Sequence, residues 1–407
     1  MFNSCDNNNN ESTRYIRKNA NSSEAQSDLE AMNKALKIMK EKNCTDPLSW
    51  YYQGAIHWIP DSIPHNPLCE TYHNVNDLKT AWDNCTHSPT GKEKIHFLVW
   101  HRLYIWHFEK IVRKLSGKQD FALPYWAYTN NNVSDKMLPE MFRDSKSSLY
   151  TACRYDSLNM GQPISGDILR ALDLTKLMKC TDYKTFCLAI NAAPHGAMHD
   201  YIGAGNDTTG TLQFNNTITG TITNTGLMGW VPTAGFEPVF WLHHSNIDRI
   251  WQQWTNSPNG KMITLQELKS VDWPYVFFDE NGKKVEYTME DVIKIIYDMD
   301  YDFDDTKVQP RKDSDLVQAT PLKEVVNFNP KQRIGHLVHI KPELGRLKST
   351  TPNNFKKMYM EVTVSFTQVP RGVYEVYLNN QGANYMTNSE NFVGFMNFFG
   401  FDSKTQS

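Results

Sequence analysis

Apolar side chains recur at every third or fourth position in several stretches of this chain, which is typical of amphipathic helices. The clearest of these stretches predicts a helix over residues 22–43. The opposite face of this helix is polar, so the helix is expected to pack with one side on a core. Its apolar face consists of Leu29, Met32, Leu36 and Met39.

Three further helices are predicted in the first three quarters of the chain. One covers residues 97–115 and ends near Gly117, and Pro124 in the following FALPYW prevents it from continuing. Another surrounds the segment PHGAMHDYI, where Pro194 suits a first helical turn. The last begins in FEPVFWLHH and continues through Trp254. Between these two helices, a segment rich in Thr, Asn and Gly predicts an irregular loop or a short ribbon.

The pattern changes after the acidic run DMDYDFDD, which ends at Asp305. Beyond it, VTVSFTQV alternates apolar and hydroxyl residues, and GVYEVYLN and FVGFMNFF have the composition of strands. We therefore predict a helical domain over residues 1–305, of which residues 1–20 are expected to be flexible. A β-rich domain is predicted over residues 306–407.

Composition excludes several classes of protein. A chain of 407 residues suggests roughly two or three domains, and 40% apolar residues can bury a large core. The net charge of −3 gives no basic surplus for nucleic acid or an anionic membrane. No apolar run approaches the ~18 residues of a membrane span. Seven cysteines are an odd number and too few for a disulfide scaffold. The N-terminus is not a secretory signal, so a cytoplasmic protein is expected unless a leader has been removed.

The histidines are placed unevenly. Two of them lie four residues apart on a predicted helix, so their rings project from the same face. Others lie in the aromatic segments SWYYQGAIHWIP and WHRLYIWHFEK, and two stand side by side in the opening of the last helix. Such a concentration exceeds what core packing needs, because each buried imidazole requires a hydrogen-bond partner. These histidines are His57, His87, His101, His195, His199 and one of the neighbours His243 and His244.

Ligation by imidazole alone suits copper or zinc. A zinc peptidase would have Glu after the first histidine of His-x-x-x-His, where this chain has Gly196. A di-iron carboxylate bundle would need two Glu-x-x-His motifs on helices. The two matches by letter, at His73 and His96, lie in loop-like sequence. Two copper sites made only of imidazoles fit the pattern best.

Two segments resemble the copper motifs of one known family. FLVWHRLYIWHFE resembles its first-copper motif and EPVFWLHHSNIDRIW its second. From about residue 15 to the end, the chain resembles type 3 copper proteins of the tyrosinase and catechol oxidase (polyphenol oxidase) group, which are related to molluscan haemocyanin. The resemblance implies a mainly α fold: a four-helix-bundle core with two copper ions, and a C-terminal β-rich domain that packs on or shields the active site.

The resemblance also implies a ligand set. In the family motif the second histidine of the side-by-side pair binds copper, so His243 is expected to be packed or hydrogen-bonded instead. WDNCTH resembles the motif of relatives in which the cysteine forms a thioether to the middle copper A histidine, here Cys85 to His87. His96, directly before the first-copper motif, is the competitor of His87. The implied ligands are His57, His87 and His101 for copper A, and His195, His199 and His244 for copper B.

The implied activity is the oxidation of o-diphenols to o-quinones with O₂, with monophenol hydroxylation as an open extension. An o-aminophenol oxidase and a haemocyanin-like O₂ carrier remain as alternatives. Gly196, Asp200 and Val231 are expected to line the substrate pocket. Relatives that hydroxylate monophenols tend to have Asn where Gly196 stands, so o-diphenols are favoured. Asp248 is expected to orient a ligand or to hold Arg249.

Overall fold

The structure is a computed structural model that describes residues 14–57, 69, 93–204, 211–308, 320–327, 358–365, 372–377 and 392–399. Helices dominate it up to residue 297. They are α1 (Gln26–Glu41), α2 (Trp50–Ala55), α3 (Phe97–Ser116), α4 (Glu140–Arg143), α5 (Asp156–Asn159), α6 (Ile168–Ala171), α7 (Tyr183–Ile190), α8 (Ala197–Ile202), α9 (Val231–Ala234), α10 (Pro238–Asn256), α11 (Leu265–Leu268) and α12 (Met289–Tyr297).

The first predicted helix is α1, and it is shorter at both ends than its apolar pattern suggested. All four residues of the predicted apolar face are buried, and α1 packs on α3. The end of α3 follows from Gly117, which adopts a left-handed conformation with φ of 78°. Glycine adopts this conformation without a steric penalty, so it commonly terminates helices. α3 also packs against α10 and thus lies at the centre of the helical core.

Pro194 interrupts the helix that was predicted around the segment PHGAMHDYI. α7 ends at Ile190, and an irregular turn over Asn191–Gly196 leads into α8. Ala193 is extended, with φ of −150° and ψ of 134°, because a residue before proline is disfavoured in the helical region. The last predicted helix, α10, begins with Pro238 directly after Glu237, whose carboxylate accepts a hydrogen bond from the Val239 amide at 3.2 Å.

The strands form small two-stranded sheets. The Thr/Asn/Gly-rich segment contains the predicted ribbon, and all three strands predicted near the C-terminus are present. The sheets are parallel β1 (Tyr15–Arg17) with β6 (Tyr301–Phe303), antiparallel β2 (Phe214–Asn216) with β3 (Thr221–Thr223), antiparallel β4 (Tyr275–Phe278) with β5 (Lys284–Tyr287), parallel β7 (Thr320–Asn327) with β8 (Met358–Ser365), and antiparallel β9 (Val373–Tyr377) with β10 (Phe392–Asn397).

The expectation of a flexible N-terminus is wrong for residues 14–20. β1 pairs with β6, and the side chain of Arg17 is fully buried between Glu109 and Asp248. The guanidinium lies 2.7 Å from the first carboxylate and 2.9 Å from the second. A buried arginine must be paired in this way, so this segment is fixed to the core by charge as well as by strand pairing. Residues 1–13 lie outside the described residues.

Two observations concern the cellular compartment and the membrane. Cys44 and Cys69 form a disulfide. Because disulfides persist mainly in oxidising compartments, this bond weighs against the cytoplasmic location expected above. None of the described helices combines the length and the apolar character that crossing a membrane requires.

Candidate metal centre

Five of the six histidines proposed as ligands converge in the core. One follows the end of α2, one lies in α3, two are carried by the turn into α8 and by α8 itself, and one lies in α10. All five side chains are buried. They are His57, His101, His195, His199 and His244.

These histidines form two groups in which the ring nitrogens lie within 4.8 Å of one another. The first group joins His57 and His101, whose Nε2 atoms are 3.4 Å apart, to His244. The second group joins His195 and His199 to the neighbouring pair in α10. Because His244 belongs to both groups, the two candidate metal positions are adjacent.

Backbone carbonyls fix the orientation of four imidazoles. In each case the Nδ1 atom bonds a carbonyl oxygen, which can only accept, so the Nδ1 atom carries the proton. The Nε2 atom then carries the lone pair, and metal-ligating histidines usually donate their other ring proton to an acceptor in this way. The bonds run from His57 to Val231 at 2.9 Å, from His101 to Phe97 at 2.8 Å, from His195 to Asn191 at 3.1 Å and from His199 to Met228 at 2.9 Å.

The two neighbouring histidines in α10 differ in their hydrogen bonding. His243 is hydrogen-bonded: its Nδ1 atom lies 2.8 Å from the hydroxyl of Tyr128, and the two rings are stacked. Neither ring nitrogen of His244 has a hydrogen-bond partner in the described part of the chain, although both atoms are buried. A buried polar group without a partner needs an explanation, and a bound metal ion supplies one. The histidine groups therefore fit copper.

Burial also sets the charge state of the centre. Desolvation lowers the pKa of His57 to about 4. It lowers the pKa of His101, His195 and His244 well below the usual value, and the neighbouring imidazoles add to the effect. These rings are therefore neutral at pH 7, which is the form that binds a metal.

The free energy of unfolding of the copper-free protein is expected to fall between pH 7 and pH 5. An unfolded histidine has a pKa near 6.5, whereas the pKa of folded His57 is about 4. Between these values the unfolded chain binds the extra proton, so stability present above pH 6.5 is lost as the pH falls toward 4. For His57 alone the loss at pH 5 is about 2 kcal/mol. Urea unfolding at the two pH values measures it.

His57→Gln removes one titrating ring and is the control for this measurement. It should reduce the pH dependence by the amount assigned to His57. Equal stability of the parent protein at pH 7 and pH 5 would contradict the assignment.

Aromatic rings enclose the histidines and keep the centre apolar. Phe240 contacts His57 and His244, with ring centroids 4.7 and 4.3 Å apart. Phe97 packs edge-on against His195 at 4.5 Å. Such walls exclude water from the centre and offer apolar surface to an aromatic ligand.

The C-terminal end of the described chain also reaches the centre. The ring of Phe399 stacks on His199, with centroids 3.9 Å apart and an interplanar angle of 25°. It also lies edge-on to His195 at 5.8 Å. Phe399 follows β10 by two residues, so the C-terminal strand pair brings an aromatic side chain over the second histidine group.

Asp248 has other partners than the sequence suggested. It accepts hydrogen bonds from Arg102 at 2.6 Å, from Arg17 at 2.9 Å and from the hydroxyl of Tyr301. Arg249 pairs with Asp305 instead. The prediction that Asp248 orients a ligand or holds Arg249 is therefore wrong. Its carboxylate ties α10 to α3 and to the β1–β6 pair, one turn beyond His244.

The sequence offers two candidates for the middle ligand of copper A. Cys85 and His87 lie outside the described residues. His96, the competitor, is buried, and both its ring nitrogens are hydrogen-bonded: Nδ1 is 2.8 Å from the Tyr275 hydroxyl and Nε2 is 3.1 Å from the Val271 carbonyl. While these bonds persist, no ring nitrogen of His96 is available to a metal.

All three residues predicted to line the substrate pocket are buried close to the histidines. Val231 is buried and its carbonyl anchors His57. Asp200 is buried in α8, next to His199. Gly196 is buried directly after His195, and the side chain of Asn397 lies against it.

Comparison with known proteins assigns the family. The family model described as the common central domain of tyrosinase matches residues 47–167 and 156–257, just over half of the chain. This chain belongs to the tyrosinase family. Members of this family carry a pair of copper ions and act as oxidoreductases with O₂, and the two buried histidine groups suit such a pair.

Curated relatives from bacteria and plants are similar to this tyrosinase-family chain. Tyrosinase HcTyr1 of Hahella sp. (strain CCB-MM4) is 25% identical, and the match covers 91% of this chain and 82% of the relative. Chloroplastic polyphenol oxidase C of Solanum lycopersicum is 26% identical, over 66% of this chain and 44% of the relative. The match thus spans less than half the length of this plant relative.

Solved structures support the fold. Latent apple tyrosinase matches with a TM-score of 0.51 and 22% identity, over 73% of this chain and 64% of that structure. The polyphenol oxidase of Grenache (Vitis vinifera) matches with a TM-score of 0.50 and 24% identity, over 72% of this chain and 86% of that structure. The predicted fold, a mainly α dicopper core with C-terminal strands, is confirmed.

Proposed function

We propose that this chain is a dicopper polyphenol oxidase that oxidises o-diphenols to o-quinones with O₂. One observation carries the proposal: two groups made only of histidines are buried side by side and share His244. Among the described residues no carboxylate or thiolate joins either group. This donor set suits copper rather than a hard cation.

The proposed copper A ligands are His57, His87 and His101. The two that are described have Nε2 atoms 3.4 Å apart, close enough to share one ion. The bonds of His96 to Tyr275 and Val271 support His87 as the third ligand, since they occupy the competitor. The proposed copper B ligands are His195, His199 and His244.

A thioether between Cys85 and His87 is part of this proposal. If it forms, the peptide that contains both residues should be lighter by two hydrogens than its sequence mass, and Cys85 should resist thiol alkylation. Mass spectrometry of the digested, copper-loaded protein measures both quantities. The buried Cys187 is an internal control, because it should alkylate once the chain is denatured. A full-mass, alkylated Cys85 peptide would contradict the thioether.

The side chains of the centre have defined tasks in the proposed reaction. Two o-diphenols are oxidised to two o-quinones while one O₂ is reduced to two waters, and the copper pair supplies the electron transfer. The buried carbonyl anchors accept hydrogen bonds from the Nδ1 atoms, so the Nε2 atoms would be the ligands of the bound copper ions. Phe97 and Phe240 exclude water from the reacting atoms.

The proposal favours o-diphenols over monophenols because hydroxylation of a monophenol needs a base for its proton. Gly196 offers no side chain, and the side chain of Asn191 is a neutral amide. The backbone carbonyl of Asn191 is already the anchor of His195. A catechol needs less help, since its hydroxyls are more acidic and would bind directly to the copper ions that these histidines would hold. Asp200, in α8, is the nearest candidate base in the sequence.

Oxygen uptake with two matched substrates tests this proposal. The initial rate on 4-tert-butylcatechol should exceed that on 4-tert-butylphenol by on the order of tenfold or more, because general-base assistance is worth roughly 10²–10⁴-fold. The monophenol should also show a lag. Comparable initial rates would contradict the substrate preference, and Asp200→Asn would then show whether that carboxylate is the base.

The same experiment separates the rival functions. An O₂ carrier would take up O₂ once per copper pair and stop, whereas an oxidase continues until the catechol is exhausted. An o-aminophenol oxidase would turn over 2-aminophenol faster than 4-tert-butylcatechol. Sustained uptake with the catechol at the higher rate is the outcome expected here.

We also propose that residues 306–407 form a unit that shields this centre. The supporting observation is the stacking of Phe399 on His199. An aromatic ring at this place occupies the space that a phenol would use to approach copper B. The C-terminal strands would then limit turnover until they are displaced.

A further inference from the structure

β10 contacts the turn before α8 where the side chain of Asn397 lies against Gly196. A Cβ atom added to Gly196 would lie 2.3 Å from Nδ2 and 2.6 Å from both Cγ and Oδ1 of Asn397. Real Cβ atoms are essentially never found this close to other atoms. Any side chain at position 196 would therefore force the carboxamide of Asn397 to shift, and with it the hydrogen bonds that this carboxamide makes.

Both ends of this carboxamide are engaged. Its Nδ2 atom donates to the carbonyl of Ala192, in the same turn as Gly196. Its Oδ1 atom accepts from the backbone amide of Phe399 at 3.1 Å. A side chain that bonds the backbone two residues later closes a local turn. The first bond fixes β10 to the copper B segment, and the second directs the chain toward His199.

The other polar contacts that this strand pair makes with the helical region lie at more exposed side chains. Arg170 pairs with Glu375 at 2.8 Å, and the ammonium of Lys176 lies 3.9 Å from the ring centre of Phe392. The side chain of Arg170 is 51% exposed, and exposed pairs of this kind contribute little because solvent screens them. The contact at the buried Gly196 gives the docked strand its register.

We propose that Asn397 is a positioning residue that fixes Phe399 over the copper B histidines, and that Gly196 is its receptor. The absence of a side chain after His195 thus has a second role besides shaping the pocket: it admits the C-terminal strand. This inference rests on the proposed function and deepens it, because it identifies the contact that controls access to the centre.

Two substitutions test the contact from its two sides. Gly196→Ala adds one methyl group into the space of the carboxamide. Asn397→Asp keeps the shape of the side chain but removes the donor to Ala192. Gly394→Ala is the matched control, since it adds the same methyl group to β10 where no atom lies within 4 Å.

Hydrogen exchange of the backbone amides in residues 392–399 of the copper-loaded protein is the first measurement. Gly196→Ala and Asn397→Asp should each accelerate exchange by on the order of tenfold, the effect of about 1.4 kcal/mol. The double variant should exceed the larger single effect only slightly, because both substitutions break one contact. Gly394→Ala should exchange like the parent.

The kinetic measurement distinguishes positioning from a merely structural role. A ring docked over His199 competes with the substrate, so Asn397→Asp should lower KM for 4-tert-butylcatechol more than it changes kcat. Exchange in Gly196→Ala equal to that in Gly394→Ala, or additive effects in the double variant, would overturn the inference. An unchanged KM in Asn397→Asp would overturn the positioning of Phe399.

Failure of the proposed oxidase function can be distinguished from failure of the contact between Asn397 and Gly196. The exchange measurement and the copper content do not depend on turnover. A protein that holds two coppers and shows the exchange pattern but no sustained O₂ uptake would refute the oxidase while supporting the contact between Asn397 and Gly196.

Discussion

His244→Ala is expected to lose one of the two copper ions and all measurable oxidation of 4-tert-butylcatechol. His244 is the only histidine that belongs to both described groups, so its substitution should remove one of the proposed copper B ligands and open the space between the two ions. Metal analysis and O₂ uptake on protein reconstituted with excess copper measure the two effects. Copper content should fall from about two to about one per chain.

His243→Ala is the matched control, because it removes the same ring at the adjacent position. Adjacent residues of a helix point about 100° apart, and the Nδ1 atom of His243 is hydrogen-bonded to Tyr128. Loss of a residue that only supports the ligands typically weakens metal affinity 10–100-fold, so this variant should still bind two coppers when copper is in excess.

Comparison of the two variants decides whether His244 or His243 is the copper B ligand. His243 also lies within ligand distance of His195 and His199, so the structure brings four imidazoles to copper B where the motif implies three. Retention of two coppers by His244→Ala, with loss of one by His243→Ala, would reverse the assignment. Tyr128→Phe would then be the next variant, because it frees the ring of His243.

The helices, and the histidines that they bring together in the core, could be predicted from local pattern. The i, i+4 spacing of His195 and His199 placed both rings on one face, and the apolar spacing around His101 indicated its buried helix. These are short-range regularities, which follow directly from helix geometry. The break at Pro194 and the extended conformation of Ala193 shifted the start of α8 without disturbing that spacing.

The supports of the site could not be predicted, because their partners are distant in sequence. His57 is anchored by the backbone carbonyl of Val231, and His199 by that of Met228. Every residue has a backbone carbonyl, so the pattern of side chains cannot indicate which one accepts such a bond. Arg17 reaches Asp248 over 231 residues, from a segment that was expected to be flexible.

Displacement of the C-terminal strands is expected to raise turnover. The ring of Phe399 stacks on His199, and an aromatic pair of this kind is worth roughly 0.5–1.5 kcal/mol. Phe399→Ala removes that stacking, so kcat/KM for 4-tert-butylcatechol should rise roughly two- to tenfold. Val393→Ala, at an exposed position of the preceding strand β10, is the matched control and should leave the parent value unchanged.

Cleavage of the chain tests the same cover without a substitution. Limited proteolysis that nicks the chain near residues 305–330, or mild detergent, should raise O₂ uptake at least as much as Phe399→Ala, because it releases the whole strand pair rather than one ring. The copper content should remain at about two per chain, since all proposed ligands precede residue 305. If clean release of the C-terminal residues left turnover unchanged or lowered it, the strands would serve only to cover the core, and the stacking of Phe399 would have no part in controlling access.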